Sequence, residues 1–266
     1  MPASAALKHD ERCVTYAWLS RRELFGEVYR QLLPDYFHAM PQDSGVVIGS
    51  FIPTAEVVPG LTFPGDIDVL VIPYEGDELV LSQTLAIEIK VIRTSFARQG
   101  KSPNQFGFSQ AGGLLEAGFP YAAVGHLIVS DRSPEDAWRE VAMTTVVDAD
   151  AGTCEPLQPV LHDMLPADLL RRAHGRLKHN CPDSRLGHFS AYPGGPGLWF
   201  PEGERATFNP HTRREVLDGI HACYLKHHWH FLRTRRYPPP APAPITEPER
   251  HERFTVMAEK MRRDFP

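Results

Sequence analysis

Asp66, Asp68, Glu88 and Lys90 stand in two short stretches, GDIDVLVIP and LAIEIKVI, whose alternation gives them a shared chemistry. In a strand, residues two apart lie on one face. Glu88 and Lys90 therefore project together, with Ile87, Ile89 and Val91 opposite; Asp66 and Asp68 do the same against Ile67, Val69 and Val71. Strands paired with matching faces bring two or three carboxylates and an ammonium group together. Neighbouring carboxylates repel, and an unpaired buried charge is costly. A divalent cation removes both difficulties: hard Mg²⁺ or Mn²⁺ takes oxygen ligands from carboxylates and from substrate phosphates. A lysine alongside orients an attacking water or helps to deprotonate it. Taken alone, Glu-x-Lys on an amphipathic strand equally describes a solvated face with a weak ion pair.

The elements that must position these groups are signalled in order. Ser20 and Glu23 form a capping-box pattern, and Leu24, Val28 and Leu32 recur every four residues, which predicts a helix from Arg21 to about Leu33, closed by Pro34. Strands are expected at Gly45 to Pro53, Phe63 to Pro73 (ending in the turn YEGDE) and Leu85 to Ile92. A Gly/Ser/Asn-rich loop, a helix from Ser109 to Ala117 and a buried strand from Ala122 to Ser130 follow. Helix, three strands, helix, strand implies an α/β (α+β) layer fold, a small mixed sheet flanked by helices.

Beyond about Asp150 the pattern is less regular, so residues 1–150 are expected to form the core and 151–266 a mainly helical and irregular C-terminal extension. Helical periodicity covers Leu165 to Leu177 and Arg213 to Leu232, separated by the loop AYPGGPGLWFPEG. The proline-rich stretch 238–248 is expected to be extended and semi-rigid.

Composition narrows the function classes. With 42% hydrophobic and 23% charged residues, the 266-residue chain has ordinary globular values. No run reaches the length of a membrane span, and the N-terminus lacks the apolar stretch of a secretory signal, which predicts a cytoplasmic protein with no membrane partner. Cys13, Cys154, Cys181 and Cys223 have no zinc spacing and no disulfide density. A formal charge of −5 argues against coating nucleic acid by bulk positive charge, yet a site that gathers carboxylates around cations is acidic by construction.

The string GDIDVLVIPYEGDELVLSQTLAIEIK resembles the core motif of the PD-(D/E)XK nuclease superfamily, with an Asp entering one strand and Glu-x-Lys on the next; the likeness spans roughly Arg21 to Ser130. It implies a restriction-endonuclease-like core with Asp68 and Glu88 as metal ligands, the Ile89 carbonyl completing them, and Lys90 acting on the water. Asp68 is preferred to Asp66 because it stands immediately before the apolar run VLVI, and Asp66 is then a supporting acid. An acid from the first helix would be Glu27, although it falls at the flank of that helix's apolar face; a glutamine on the following helix would be Gln110. The activity implied is a Mg²⁺- or Mn²⁺-dependent endonuclease, acting on DNA in preference to RNA, with restriction or defence against invading DNA as a setting by analogy. The alternative is a nuclease-fold subunit without catalysis that binds nucleic acid or assembles a complex. In either case the C-terminal region is the place for self-association or a partner protein.

Secondary signals follow. Arg93, Arg98 and Lys101 come soon after the Glu-x-Lys strand and are positioned to hold phosphates or to be solvated loop charges. In KHHWHFLRTRRY, the cations Lys226, Arg233, Arg235 and Arg236 lie among Trp229 and Tyr237, a composition suited to phosphate contact and base stacking, but an amphipathic helix is the preferred reading. His174, His179, His188, His221, His227, His228 and His230 form no standard zinc pair with Cys181 or Cys223, so they are read as surface or capping residues.

Overall fold

The apolar faces signalled above fold against a single sheet in the computed structural model, which describes residues 11–100, 103, 105–148, 151–194 and 200–236. Helices α1 (Glu11–Ser20) and α2 (Arg22–Leu32) come first. The expected capping box does not form. Ser20 is the last residue of α1, and its hydroxyl donates back to the Ala17 carbonyl; Arg21 occupies the cap of α2 with no side-chain bond. Pro34 ends α2 but opens another helix, α3 (Pro34–Ala39), where its missing N–H is harmless.

Strands β1 (Ser44–Pro53), β2 (Asp66–Glu75), β3 (Glu78–Leu79), β4 (Leu85–Arg93) and β5 (Tyr121–Val129) follow, with the short helix α4 (Thr54–Val57) after β1 and α5 (Phe108–Ala117) between β4 and β5. Then come a hairpin, β6 (Arg139–Asp148) and β7 (Thr153–His162), and helix α6 (Leu165–Asn180). β8 (Gly187–Ala191), β9 (Glu202–Glu204), α7 (Arg214–His227) and β10 (Leu232–Arg235) complete the described chain.

The main sheet is mixed and eight-stranded, in the order β10-β1-β2-β4-β5-β8-β9 with β3 on β2. β4, β5 and β8 are parallel, joined by crossovers through α5 and α6; the remaining pairs are antiparallel. One face packs on α1 and α2 through Val14, Trp18, Phe25, Val28, Val69, Ile87, Ile89 and Phe189. Trp18 is fully buried, with its ring centroid 5.1 Å from that of Phe189. The other face packs on α5, α6 and α7 through Leu70, Ala86, Val124, Leu114, Ile128 and Leu170. Burying side chains of this size contributes about 1.5–3 kcal/mol each.

The sheet draws on both sides of residue 150: β8, β9 and β10 extend it, and the chain divides after Arg236. The helix expected through Leu232 stops at His227, and Leu232–Arg235 pairs instead with β1. The open edge of β1 supplies ladder partners that a solvated helix end lacks. Gly45 permits the approach, since a Cβ there would lie 2.1 Å from the Thr234 carbonyl oxygen. The β6–β7 hairpin, a separate two-stranded sheet with both faces exposed, was not signalled by any regular alternation. Among the described residues no helix is long and apolar enough to cross a membrane. Lys101, Tyr237 and the proline-rich stretch lie outside the described residues.

Candidate active site

β2 and β4 pair at Val69–Ile87, Leu70–Ala86 and Val71–Leu85, and then part. Continued by one residue, that register sets Asp68 opposite Glu88. At the fork the ladder bond is replaced by a side chain: the Ile89 amide donates to Asp68 Oδ2 at 2.7 Å. In a strand the N–H and C=O of one residue point to the same side, so the Ile89 carbonyl also faces the Asp68 edge.

Glu88 is 2% exposed, and its Oε1 accepts a hydrogen bond from Lys90 Nζ at 2.6 Å. Asp68 Oδ1 and Glu88 Oε2 have no hydrogen-bond partner among the described residues. Burial raises the Glu88 carboxyl to about 7, with repulsion from Asp68 adding to it and the Lys90 ammonium opposing it. Burial likewise raises Asp68 to about 6, against the stabilising Ile89 N–H. Burial works against the Lys90 ammonium, but Glu88 and Asp68 more than offset it and hold its pKa above the ordinary value. The site is thus a desolvated carboxylate pair with one ammonium, short of positive charge.

The N-terminus of α5 closes one side. Gly107 has φ +94°, and a Cβ there would lie 3.1 Å from Glu88 Cγ and 3.5 Å from Lys90 Cγ. Glycine alone meets both demands without strain. Gln110 follows on this helix, half-buried, and its Oε1 is buried without a hydrogen-bond partner among the described residues.

Asp66 begins β2 and raises both Asp68 and Glu88 by its charge. Glu27 is not brought to the site. Its carboxylate is held by Arg30 at 2.5 Å and by Gln31 at 3.0 Å on its own helix, because its position at the flank of α2 directs it along the helix surface. The helical acid that acts on Asp68 and Lys90 is Glu11, in the first turn of α1, which sequence reasoning missed because α1 itself was not anticipated.

Arg93 follows Ile92 at the end of β4, and alternation turns it to the face opposite Lys90; Arg98 is exposed in the succeeding loop, its backbone bridged to Ser95. Three of the C-terminal cations named above, Lys226, Arg233 and Arg236, are committed to the fold. Lys226 pairs with Glu56, the Arg233 guanidinium lies 4.2 Å over Tyr74, and Arg236 lies over Phe37 and donates to the Met40 carbonyl.

Two of the histidines read as surface or capping residues are inside. His188 is 6% exposed on β8 and stacks on the partly buried His174 of α6, with ring centroids 5.3 Å apart, because α6 packs directly on β8. His126, on β5, was passed over altogether; it is fully buried. Its position is legible in hindsight as the lone titratable residue in the apolar run AAVGHLIV. Among the described residues no group of three or more His, Cys, Asp or Glu side chains is placed to hold a metal ion. Asp66 acts on Asp68 and Glu88 through its charge, and Glu11 acts in the same way on Asp68 and Lys90. Searches against family models, curated proteins and solved structures found no match.

Proposed function

We propose that the fork of β2 and β4 is the active site of a metal-dependent endonuclease of the PD-(D/E)XK type, hydrolysing phosphodiester bonds in DNA in preference to RNA. The observation that carries this reading is the Asp68–Ile89 bond beside the Glu88–Lys90 pair. It holds the Asp68 carboxylate at the fork beside the Glu88–Lys90 pair, with one oxygen of each carboxylate engaged in a described hydrogen bond. The donor set fits a hard divalent cation, since it is all oxygen and its paired, desolvated carboxylates lack positive charge.

Asp68, Glu88 and the Ile89 carbonyl would hold Mg²⁺ or Mn²⁺. Such an ion, when bound, supplies Lewis-acid stabilisation of phosphoryl charge and acidifies a coordinated water. Lys90, held as an ammonium, enters as a donor: it orients the attacking water and stabilises charge gathering on the phosphate oxygens. Ile89 fixes the Asp68 carboxylate through its amide, and Gly107 lets the start of α5 close over Glu88, limiting water on that side.

The test is incubation of the wild type and of Glu88→Ala and Lys90→Ala with supercoiled, linear and single-stranded DNA and with RNA, in Mg²⁺, Mn²⁺ or EDTA. Cleavage by the wild type alone, and only with metal, supports the reading. Cleavage retained in either folded variant overturns the site. Metal-independent binding with no cleavage by any protein favours a nuclease-fold subunit without catalysis.

A further inference from the structure

The β6–β7 hairpin carries side chains that suit a protein interior, yet it stands in solvent. Val146, Val147, Leu157, Val160 and Leu161 are all exposed. The Met143–Leu157 and Val146–Cys154 pairs are three rungs apart, so apolar groups stand on both faces of the ribbon. An isolated two-stranded ribbon is marginally stable in water, and a contiguous exposed apolar surface marks an interaction site. The base of the hairpin is fixed to the body. Arg139 pairs with Asp168 at 2.6 Å, the Trp138 indole donates to the Ser133 carbonyl, and Ser133 donates through its amide and its hydroxyl to Asp163. The ribbon is thus an anchored arm with both faces uncovered.

Charge narrows what the arm meets. Between Glu140 and Leu161 the sequence has four acids, Glu140, Asp148, Asp150 and Glu155, and no Lys or Arg. Phosphate backbones are held by Lys and Arg, so the arm is unsuited to nucleic acid. Its complement is on the same chain. Between Leu225 and Arg236 the sequence has four Lys and Arg residues and no Asp or Glu. Within that segment Trp229 is 65% exposed, with its ring centroid 5.6 Å from that of His230. His230 and Leu232 line, with Tyr16, Leu19, Phe25 and Ile48, a cleft of about 560 Å³ where α1 and α2 meet β1 and β10. Tyr16 and Leu232 are half exposed there, and Arg235 is exposed on the same strand as Leu232. β10 ends the sheet, so its outer edge is open among the described residues.

We infer that the β6–β7 arm of one copy of this chain seats on the Trp229–Leu232 surface and its cleft in a second copy. In its own molecule the arm leaves that cleft open. Across copies, an acidic aliphatic ribbon meets a basic aromatic surface: the Val and Leu side chains leave water against Tyr16, Trp229 and Leu232, and the opposite charges set partner and orientation. The two surfaces are unlike, so the contact closes reciprocally between two copies or passes from copy to copy. Each molecule gives one arm and offers one cleft in either arrangement. The inference draws nothing from the nuclease reading of the Asp68–Glu88–Lys90 site.

The test is sedimentation of the full chain over micromolar to submillimolar concentration, with far-UV circular dichroism and a thermal melt to confirm folding. The proteins are the wild type, an arm variant Val146→Ser/Leu157→Ser, a cleft variant Trp229→Ala/Arg235→Glu, and an equimolar mixture of the two variants. The wild type is expected to self-associate, and each variant alone to do so about tenfold or more weakly. The mixture is expected to regain association, because the intact arm of the cleft variant fits the intact cleft of the arm variant. Should the arm variant not fold, the exposed single change Glu155→Lys takes its place and is mixed in the same way. A wild type that stays monomeric throughout the range overturns the inference. Association that the arm variant loses and the cleft variant keeps also overturns it, since the arm then meets some other surface. So does a mixture that regains nothing. The readout is mass and requires no cleavage, so failure here leaves the nuclease reading standing, and failure of the cleavage assay leaves this contact standing.

Discussion

Asp68 and Ile89 are joined across the fork of β2 and β4, the Ile89 amide donating to the Asp68 carboxylate at 2.7 Å where the strand ladder has ended. The bond does two things at once. It satisfies a backbone donor that lost its strand partner, and it fixes the carboxylate beside Glu88. Structural and functional demands on Asp68 can therefore be separated by substitution.

Asp68→Asn keeps an oxygen that can accept from Ile89 and removes a desolvated charge. Its stability without metal is expected to equal or exceed that of the wild type at neutral pH, while metal-dependent cleavage falls at least a hundredfold. Asp68→Ala strands the Ile89 amide, which costs about 1–3 kcal/mol, offset in part by loss of the buried charge. Urea unfolding of both variants alongside a cleavage assay decides the matter; an Asn variant that still cuts at the wild-type rate removes Asp68 from the site.

Much of this site was readable from alternation. β1, β2, β4, β5 and α5 fall within a few residues of their expected limits because their apolar positions repeat with the period of the element. Placing Asp68 and Glu88 together needed only matching faces. What was not readable depended on distant partners. β10 is a strand because β1 presents an open edge, and nothing within Leu-Arg-Thr-Arg announces that edge. Glu11 was missed because Ser20 looked like the start of one helix and is the end of another, while Glu27 sits on the expected helix but bonds along its own surface to Arg30 and Gln31. His126 was hidden by its apolar neighbours, although a lone imidazole in a buried strand is a signal that could have been used.

Metal should act on stability as well as on rate. The Asp68 charge raises the Glu88 pKa in a desolvated setting, so a bound cation is expected to stabilise the fold by RT ln(1 + [L]/Kd), about 2.7 kcal/mol at a hundred times Kd, and thereby to raise the melting temperature. Thermal melts in EDTA and in millimolar Mg²⁺ measure this directly. In Glu88→Gln the Mg²⁺-dependent rise is expected to shrink to a small fraction; an equal rise in both proteins places the ion elsewhere.

His126 sets an acid limit. Its folded pKa of about 4 lies below the ordinary 6.5 because burial disfavours the charged ring. Between those values the unfolded chain binds a proton that the native state does not, so stability declines as pH falls from 6.5 to 4 and levels off below. For His126 alone the loss is on the order of 3 kcal/mol. His126→Gln, which retains a donor for the Phe106 carbonyl, is expected to flatten this part of the urea-unfolding profile relative to the wild type. Parallel profiles for the two proteins would falsify the assignment.

Gly107 has to be glycine for two separate reasons, its left-handed backbone and the Glu88 side chain against it. Gly107→Ala is expected to lose about 1–2 kcal/mol from backbone strain and to displace the start of α5 from Glu88 and Lys90. Cleavage should fall more than stability alone accounts for, which is checked by assaying well below the variant's melting temperature. An Ala variant with wild-type activity there shows that α5 does not help to shape the site.

Glu11 and Glu27 make opposite predictions from the same residue type. Glu27 is neutralised by Arg30 and hydrogen-bonded by Gln31 on α2, so Glu27→Gln is expected to leave metal-dependent cleavage within about twofold of wild type and to cost no more than about 1 kcal/mol of stability, the range of a partly exposed ion pair. Glu11 is exposed but places its charge on Asp68 and Lys90. Glu11→Gln withdraws negative potential from the site, so the Mg²⁺ concentration for half-maximal cleavage should rise several-fold with little change in the maximal rate, because the reacting groups stay in place. Titrating Mg²⁺ against both variants separates the two acids. A Mg²⁺ requirement that moves for Glu27→Gln and not for Glu11→Gln would return the helical acid to α2 and require the Glu27–Arg30 pair to open when metal binds.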